Sequence, residues 1–377
     1  MILSIYLDNS ATTAVSPFAA SEMYKMLTEN FGNPSSTHAA GLSAAAALET
    51  ARERIAHSVG CDTSEIYFSS GGTAANNTAI FGTAERLARR GKRIITTALE
   101  HPSVGECMDK LEGMGFEVIR LKPDSDGQFP FNDFRRALND KTILVSVMYV
   151  NNEIGVINPI KQIAKTVRLS GAPALVHCDA VQAFSKLSVK PSALGVDLMS
   201  LSSHKIHGPK GAGALYIRRG VAIRPHLVGG GQENKMFSGT EPLPAIVGFG
   251  AAASEIRDIS ANLEKTKQLK QQLLELLSAS DKIVINSPSD SLPYIINLSL
   301  LGVPSEVTVN HLSSLGIYIS AGSACKKGHR SDVLSALGLP PKRIDSAVRI
   351  SLSDSSSPEE ISSLANALLA SVSRFSR

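Results

Sequence analysis

The stretch LSSHKIHGPKGAGALY, Leu201 to Tyr216, sets two lysines and two histidines inside a run that reads as strand, glycine-rich turn, strand. Around it, from about residue 45 to 220, helical stretches alternate with short β-branched or apolar runs: EIYFSS, RIITTA, FEVIRL, ILVSVMYV, ALVHCD, LMSLSS and GALYIR. That alternation predicts an α/β layer, a mostly parallel sheet with helices on both faces. At 377 residues and 43% hydrophobic, the chain has length for two domains rather than one. The amphipathic stretch Ala251 to Leu277 reads as a connecting helix. Beyond it the pattern becomes a smaller α+β unit: KIVINS, YIINLSL, a helix near Glu306 to Leu315, IYISAG and AVRISLS. A closing helix follows, with Ser357 as N-cap, Pro358 at the first helical position and Glu360 completing a capping box. The expected division is a large unit over 14–255 and a small one made of 1–13 plus 256–377.

Net charge is +4, mild for this length, and the densest basic run, RLARRGKR at Arg86 to Arg93, closes a helical pattern where the dipole favours cations. No aromatic residues interleave with those charges to stack bases and tryptophan is absent, which argues against nucleic-acid binding. The opening MILSIYLDNSATT has too short an apolar run and no basic leader, so neither a signal peptide nor an anchor is expected. No segment has the apolar length of a membrane span. Cys61, Cys107, Cys178 and Cys325 show no close pairing and no zinc spacing, which fits a reducing cytoplasm and leaves a single free thiol for any cysteine chemistry.

In open α/β sheets ligands bind outside the carboxyl ends of the strands, so the residues just after each apolar run are the candidates. RIITTALEH ends at His101, ILVSVMYVNN at Asn151 and Asn152, ALVHCDAVQ at Asp179 and Gln182, and LMSLSSHK at His204 and Lys205. Taken singly each is ordinary turn chemistry; together they specify a pocket with an acid, an amine, imidazoles and amides. SSGGTAANNTAI, Ser69 to Ile80, runs from strand through Gly71 and Gly72 into a helix, so backbone N–H groups and the positive end of the dipole face one spot beside Thr73. This is a phosphate cradle without the Gly-Lys-Ser/Thr of a nucleotide P-loop. A lysine able to form a Schiff base, an aspartate for a pyridinium nitrogen and a phosphate cradle are what pyridoxal phosphate asks of a protein. Asp179 would keep that nitrogen protonated, Gln182 or Asn152 would reach the phenolic oxygen, and His101 would lie over the ring. Lys205 emerges from a strand and is better placed for the cofactor than Lys210 in the glycine turn. Burial beside other cationic groups would lower its pKa for nucleophilic or basic work.

With these residues in view the chain resembles the cysteine desulfurases, the NifS/IscS-like branch of the class V aminotransferase family with fold type I. The likeness runs through YLDNSATT, FGNPSSTHAAG, SSGGTAANN, ALEHPSV, VNNEIGVINPI, HCDAVQAFSK, SSHKIHGPKGAGALYIRR, VGGGQE, SGT and SAGSAC. It implies pyridoxal phosphate on Lys205, His101 stacked on its ring, Asn152 and Gln182 near its phenolic oxygen and Asp179 on its nitrogen. Gly72, Thr73, Ser202 and His204 would hold the phosphate. Thr240 of SGT would reach the phosphate site of a second subunit, which implies a homodimer with shared sites. Arg349 in AVRISL matches the arginine that grips the substrate carboxylate, and Asn33 and Asn152 line the same mouth. Cys325 is the implied nucleophile in a reaction that takes L-cysteine to L-alanine and leaves a persulfide on the enzyme, for iron-sulfur cluster or thio-cofactor assembly with an acceptor or scaffold protein. A free thiol is only about 3% thiolate at pH 7, and Lys326, Lys327, His329 and Arg330 surround this one with positive charge. Cys61, Cys107 and Cys178 read as packing residues, and His38, His57, His177 and His207 as structural or peripheral.

Several positions depart from the family pattern. Ala74 stands where an acidic residue usually follows the phosphate threonine, Met236 and Phe237 stand where arginine is expected, with Lys235 a partial substitute, and Pro242 replaces an asparagine. Asp354 follows the SL pair where glycine or a basic residue is usual, and KKGHRSDVLSALG after Cys325 is short and lacks the family's serine-rich stretch. Two other readings therefore stand beside the desulfurase: a related enzyme, such as a selenocysteine lyase or an aminotransferase, in which Cys325 is incidental, and a non-catalytic scaffold that keeps the fold.

Overall fold

The computed structural model describes residues 4–124, 127–321 and 330–376. After β1 (Ile5–Tyr6) and the helices Pro17–Thr28 and Ala39–Val59, the chain lays down β2 (Ile66–Ser69), β3 (Arg93–Thr97), β4 (Glu117–Leu121), β5 (Thr142–Met148), β6 (Leu175–Asp179), β7 (Leu198–Ser202) and β8 (Gly213–Ile217). Side by side they run β2-β8-β7-β6-β5-β3-β4, parallel throughout except that β8 is antiparallel to both its neighbours. This is the expected mostly parallel sheet, and the antiparallel step is the glycine-rich turn between β7 and β8. β5 is buried at every residue, which is why TILVSVM reads as a nearly unbroken apolar run. Neighbouring residues serve opposite faces: Ile94 joins Ile80, Val104 and Met108 in one apolar cluster, and Ile95 joins Ile55, Val145 and Ile163 in another.

A second sheet is built from β9 (Ile283–Ile285), β10 (Ile295–Leu300), β12 (Ser320–Ala321) and β13 (Ala347–Ser351), antiparallel in the order β12-β13-β10-β9, while β11 (Ile317–Tyr318) pairs in parallel with β1. Its apolar core takes Leu269 and Leu273 from the helix Ile259–Leu277 and Leu364 and Leu368 from the helix Pro358–Phe375. Asp8 forms a bridge to Ser351, so the chain's first residues belong to this layer before they cross to the large sheet.

The stretch Ala251 to Leu277 is not one connecting helix. It is the end of Leu243–Ser254 and the whole of Ile259–Leu277, broken at Asp258, whose backbone turns left-handed at φ 44° and whose side chain accepts from the Ala261 N–H at 3.2 Å. Apolar periodicity runs through that break, and the aspartate cap was the signal that marked it. The closing helix starts as expected: Ser357 accepts from the Glu360 N–H at 3.3 Å, and the Glu360 carboxylate accepts the Ser357 N–H at 3.1 Å. The small-unit helix spans Ser305–Ser314, close to its expected limits. Among the described residues no helix is long and apolar enough to cross a membrane.

Candidate active site

β2 delivers the chain into a turn that only glycine tolerates. Gly71 sits at φ 144°, and the helix Gly72–Leu87 starts from it with no side-chain cap, leaving the first N–H groups directed at the pocket. A Cβ on Gly213 at the start of β8 would lie 2.7 Å from the Gly71 Cα, so the glycine turn after Lys205 exists to let this approach occur. A Cβ on Gly72 would meet Val181 Cγ2 at 2.8 Å and Ser202 Cβ at 3.5 Å, which brings the end of β7 against the helix start. Ser202 is buried and Thr73 is exposed at the first turn. His204 places Nδ1 3.2 Å from the Thr12 hydroxyl; burial, then Lys205 and Lys210, push its imidazole down to about 4. It is neutral at ordinary pH and donates or accepts without adding charge.

Asp179, at the end of β6, is buried and held on both oxygens: Asn76 Nδ2 donates to Oδ2 at 2.7 Å and the Val181 N–H donates to Oδ1 at 3.0 Å. Asn76 also donates to the Ser103 hydroxyl at 2.9 Å, and that hydroxyl lies 2.9 Å from His101 Nδ1. Because Nδ1 accepts the Ser103 N–H at 3.1 Å, the neutral His101 ring carries its proton on Nε2. Burial lowers the His101 pKa, Asp179 opposes that, and Lys205 and Arg349 reinforce it, so three charges of this site act on one ring. Lys205 Nζ donates to Ser10 O at 2.5 Å and Ala11 O at 2.8 Å; Gln182 Nε2 donates to the same Ser10 O at 3.0 Å, and Gln182 Oε1 is buried without a partner among the described residues. Lys186 Nζ holds the Lys205 carbonyl from behind at 3.3 Å.

The second layer contributes Arg349 from β13. Its Nη1 donates to Asn152 O at 3.0 Å, its Nη2 to Asp8 Oδ1 and to the Ser320 hydroxyl, each at 2.9 Å, and its Nε–H is buried with no partner among the described residues. Asn151 is a loop-former: its amide donates to Leu99 O at 2.9 Å and its Oδ1 accepts from Glu153 and Ile154. The adjacent Glu153 accepts the Ser331 hydroxyl at 2.5 Å, and burial pushes its carboxyl up to about 7. Asn33 is exposed and closes a local turn on the Ser35 N–H at 2.9 Å; Thr240 is exposed as well. Neither is drawn into the strand-end cluster by a contact within this chain. Cys325, with Lys326, Lys327 and His329, lies outside the described residues, while Arg330 is occupied by a bidentate pair with Asp345 at 2.7 and 2.8 Å.

Cys61, Cys107, Cys178, His177, His38 and His207 lie in packing, capping or turn positions. Burial raises Cys61 and Cys107 to about 12 and puts Cys178 well above its ordinary value. His177 lies between the Ser146 and Ser200 hydroxyls at 2.8 and 3.0 Å, and burial takes it down to about 3. His38 caps the helix Ala39–Val59, and His207 turns the chain at φ 65°. The departures also find places: Met236 and Phe237 pack against the apolar cluster that contains Ala75, Leu198 and Leu215, Pro242 precedes the helix Leu243–Ser254, and Asp354 accepts the Tyr294 hydroxyl at 2.6 Å and Asn262 Nδ2 at 3.0 Å. Lys235 sits at φ 69° next to Glu233 and Asn234, also left-handed.

Sequence reading missed Asn76, Ser103, Asp8 and Ser320. Asn76 had a usable signal, since it falls three residues after Thr73 and so on the same helix face. The donor set fits pyridoxal phosphate: an uncapped helix start over a glycine cradle for the phosphate, a buried carboxylate fixed for a ring nitrogen, an unpartnered Gln182 oxygen and a lysine among them.

The family model for class V aminotransferases matches residues 5–364. A cysteine desulfurase IscS of Methanosarcina thermophila is 41% identical over 365 residues, 95% of this chain and 89% of that protein, and a cysteine desulfurase of a Nostoc species is 42% identical over 92% and 88%. Among solved structures, a NifS-like protein superposes with a TM-score of 0.93 at 35% identity over 98% of this chain and 100% of that one. SspA in complex with cysteine gives a TM-score of 0.82 at 32% identity over 93% and 99%. The chain belongs to the class V aminotransferase family, in its cysteine desulfurase branch of pyridoxal phosphate enzymes with fold type I.

Proposed function

We propose that this protein takes sulfur from L-cysteine, releasing L-alanine and leaving a persulfide on Cys325. The observation that carries the reading is the Arg349 guanidinium, buried with an unpartnered Nε–H and acting on the same imidazole as Asp179 and Lys205. A fixed cation beside an amine-binding lysine is a seat for the α-carboxylate of an amino acid. Pyridoxal phosphate, bound there, supplies an electron sink for bond changes at the amino acid's carbons.

The chain's own residues do the rest. Gly72, Thr73, Ser202 and His204 hold the phosphate, Asp179 holds a proton at the ring nitrogen, and His101 covers the ring face. Gln182 and Asn152 reach the phenolic oxygen, and Lys205 anchors the cofactor and moves protons at the substrate. Arg349, with Asn33 and Asn152 at the mouth, orients the carboxylate. The Cys325 thiolate attacks the substrate sulfur: the S–S bond forms, the Cβ–S bond breaks with its electron pair left on carbon, and a proton at Cβ completes alanine. Thr240, exposed in the single chain, would reach the phosphate site of a second copy in a homodimer. The persulfide would pass to an acceptor or scaffold protein for iron-sulfur clusters or thio-cofactors in the cytoplasm. The division between 14–255 and 1–13 plus 256–377 belongs to the same reading, with the cysteine segment carried by the smaller unit.

The test is to mix the yellow holoprotein with L-cysteine and follow alanine, sulfide with a thiol reductant, and mass added to the peptide bearing Cys325. Alanine, sulfide and a 325 persulfide are expected; Cys325→Ser should keep the colour and lose all three. Unchanged turnover in that variant would sink the reading, and transfer of the amino group to a keto acid would replace it with an aminotransferase.

A further inference from the structure

Arg349 is almost fully enclosed, with its side chain 6% exposed, and a buried guanidinium held loosely would be costly and badly aimed. Here it is clasped in a closed triangle. Arg349 Nη2 donates to Asp8 Oδ1 at 2.9 Å and to the Ser320 hydroxyl at 2.9 Å, and Ser320 donates in turn to the same Asp8 oxygen at 2.9 Å. The three residues come from three segments. Asp8 follows β1 and bridges Ser351, Ser320 opens β12, and Ser320 lies directly opposite Arg349 in the β12-β13 ladder. On the far side of the guanidinium, Nη1 is fixed by Asn152 O at 3.0 Å. Among the described residues, Nε is the guanidinium nitrogen that is buried with no partner. Tyr6 senses the same pair of charges: burial, then Asp8, raise its phenol, and Arg349 opposes them.

We propose that Asp8, bridged by the Ser320 hydroxyl, is the positioning residue for Arg349, and that this triangle sets the preference of the site for amino acids carrying a free α-carboxylate. The proposal rests on the amino-acid site assigned above. Asp8 holds the guanidinium against rotation while its cationic charge remains, so the Nε–H meets an incoming carboxylate without reorganisation. Ser320 makes the clasp rigid because it accepts from one partner and donates to the other. Without Asp8, the Ser320 hydroxyl loses its acceptor and Arg349 turns toward whichever acceptor remains.

The experiment compares wild type, Asp8→Asn and Ser320→Ala as holoproteins, with circular dichroism melts to check folding. Binding of L-alanine and of L-alaninamide, which lacks the carboxylate, is read from the change in cofactor absorbance. Wild type should prefer alanine; Asp8→Asn should weaken alanine by about tenfold and leave alaninamide nearly unmoved, and Ser320→Ala should do the same by about threefold. In turnover with L-cysteine the loss should fall mainly on KM rather than kcat. Equal weakening of both ligands, or an unchanged preference in both folded variants, overturns the proposal. The absorbance arm needs no desulfuration, so an inactive wild type whose preference for alanine is still lost in Asp8→Asn would count against the reaction assigned above and for the clasp.

Discussion

The amide of Asn76 donates to the carboxylate of Asp179 across 2.7 Å, and its other N–H reaches the Ser103 hydroxyl, so one side chain ties the Asp179 carboxylate to the His101 imidazole. Its own Oδ1 is buried without a partner. Removing the amide leaves Asp179 with the Val181 N–H alone and frees Ser103 to turn. Asn76→Ala should weaken pyridoxal phosphate about tenfold, in line with losing a hydrogen bond to a charged group. Spectral titration of the apoprotein checks this, and an unchanged affinity would remove Asn76 from the site.

Gly213 lies in the run that first drew attention, and its role is to be absent as a side chain. An added Cβ would lie 2.7 Å from both the Cα and the carbonyl carbon of Gly71 and from Leu201 O, all backbone atoms that cannot swing away. Gly213→Ala should cost about 1–3 kcal/mol of stability and weaken phosphate-bearing ligands more than pyridoxal itself. Denaturant unfolding and paired titrations with pyridoxal and its phosphate measure the two effects.

Glu233 is buried, accepts from Arg52 at 2.8 and 2.9 Å and from the Phe68 N–H at 2.7 Å, and holds the left-handed turn of Glu233, Asn234 and Lys235 against β2. Glu233→Ala takes the bidentate partner from the Arg52 guanidinium, whose side chain is only 14% exposed, and leaves it with Glu49 at 3.1 Å and Ile66 O at 2.8 Å. The expected loss is about 1–3 kcal/mol, read from the urea midpoint.

Glu100 accepts from the Thr97 hydroxyl at 2.7 Å and from the Met148 N–H at 3.0 Å, yet burial pushes its carboxyl up to about 8. The folded state therefore keeps a proton that the unfolded chain loses near 4.5, and the protonated form is the stabilised one. Its contribution is complete below 4.5 and fades as pH rises toward 8. Melting temperatures of wild type should fall across that window relative to Glu100→Gln; parallel profiles would contradict the shift.

The parts of this protein that were legible in its sequence are those with local causes. The alternation of helical and apolar runs specified a parallel sheet, because burial on both faces demands unbroken apolar strands, and β5 is such a strand. Polar residues just past those strands marked His101, Asp179, Gln182 and Lys205, since strand ends in such a sheet open on one edge. The break at Asp258 was hidden because apolar spacing continues across it, although the backbone does not.

What the sequence determined by itself was the chemistry available: a lysine, an acid and a glycine cradle, each placed by a local pattern, and an arginine placed by the family resemblance. Which groups touch was decided only by folding. Arg349 meets Asp8 across 341 positions and Asn152 across 197, and Asp179 meets Asn76 across 103. Those contacts depend on register between strands and on how two layers face each other. Such relations have no local period, so no window of residues carries them, and the clasp on Arg349 exists only once β1, β12 and β13 lie together.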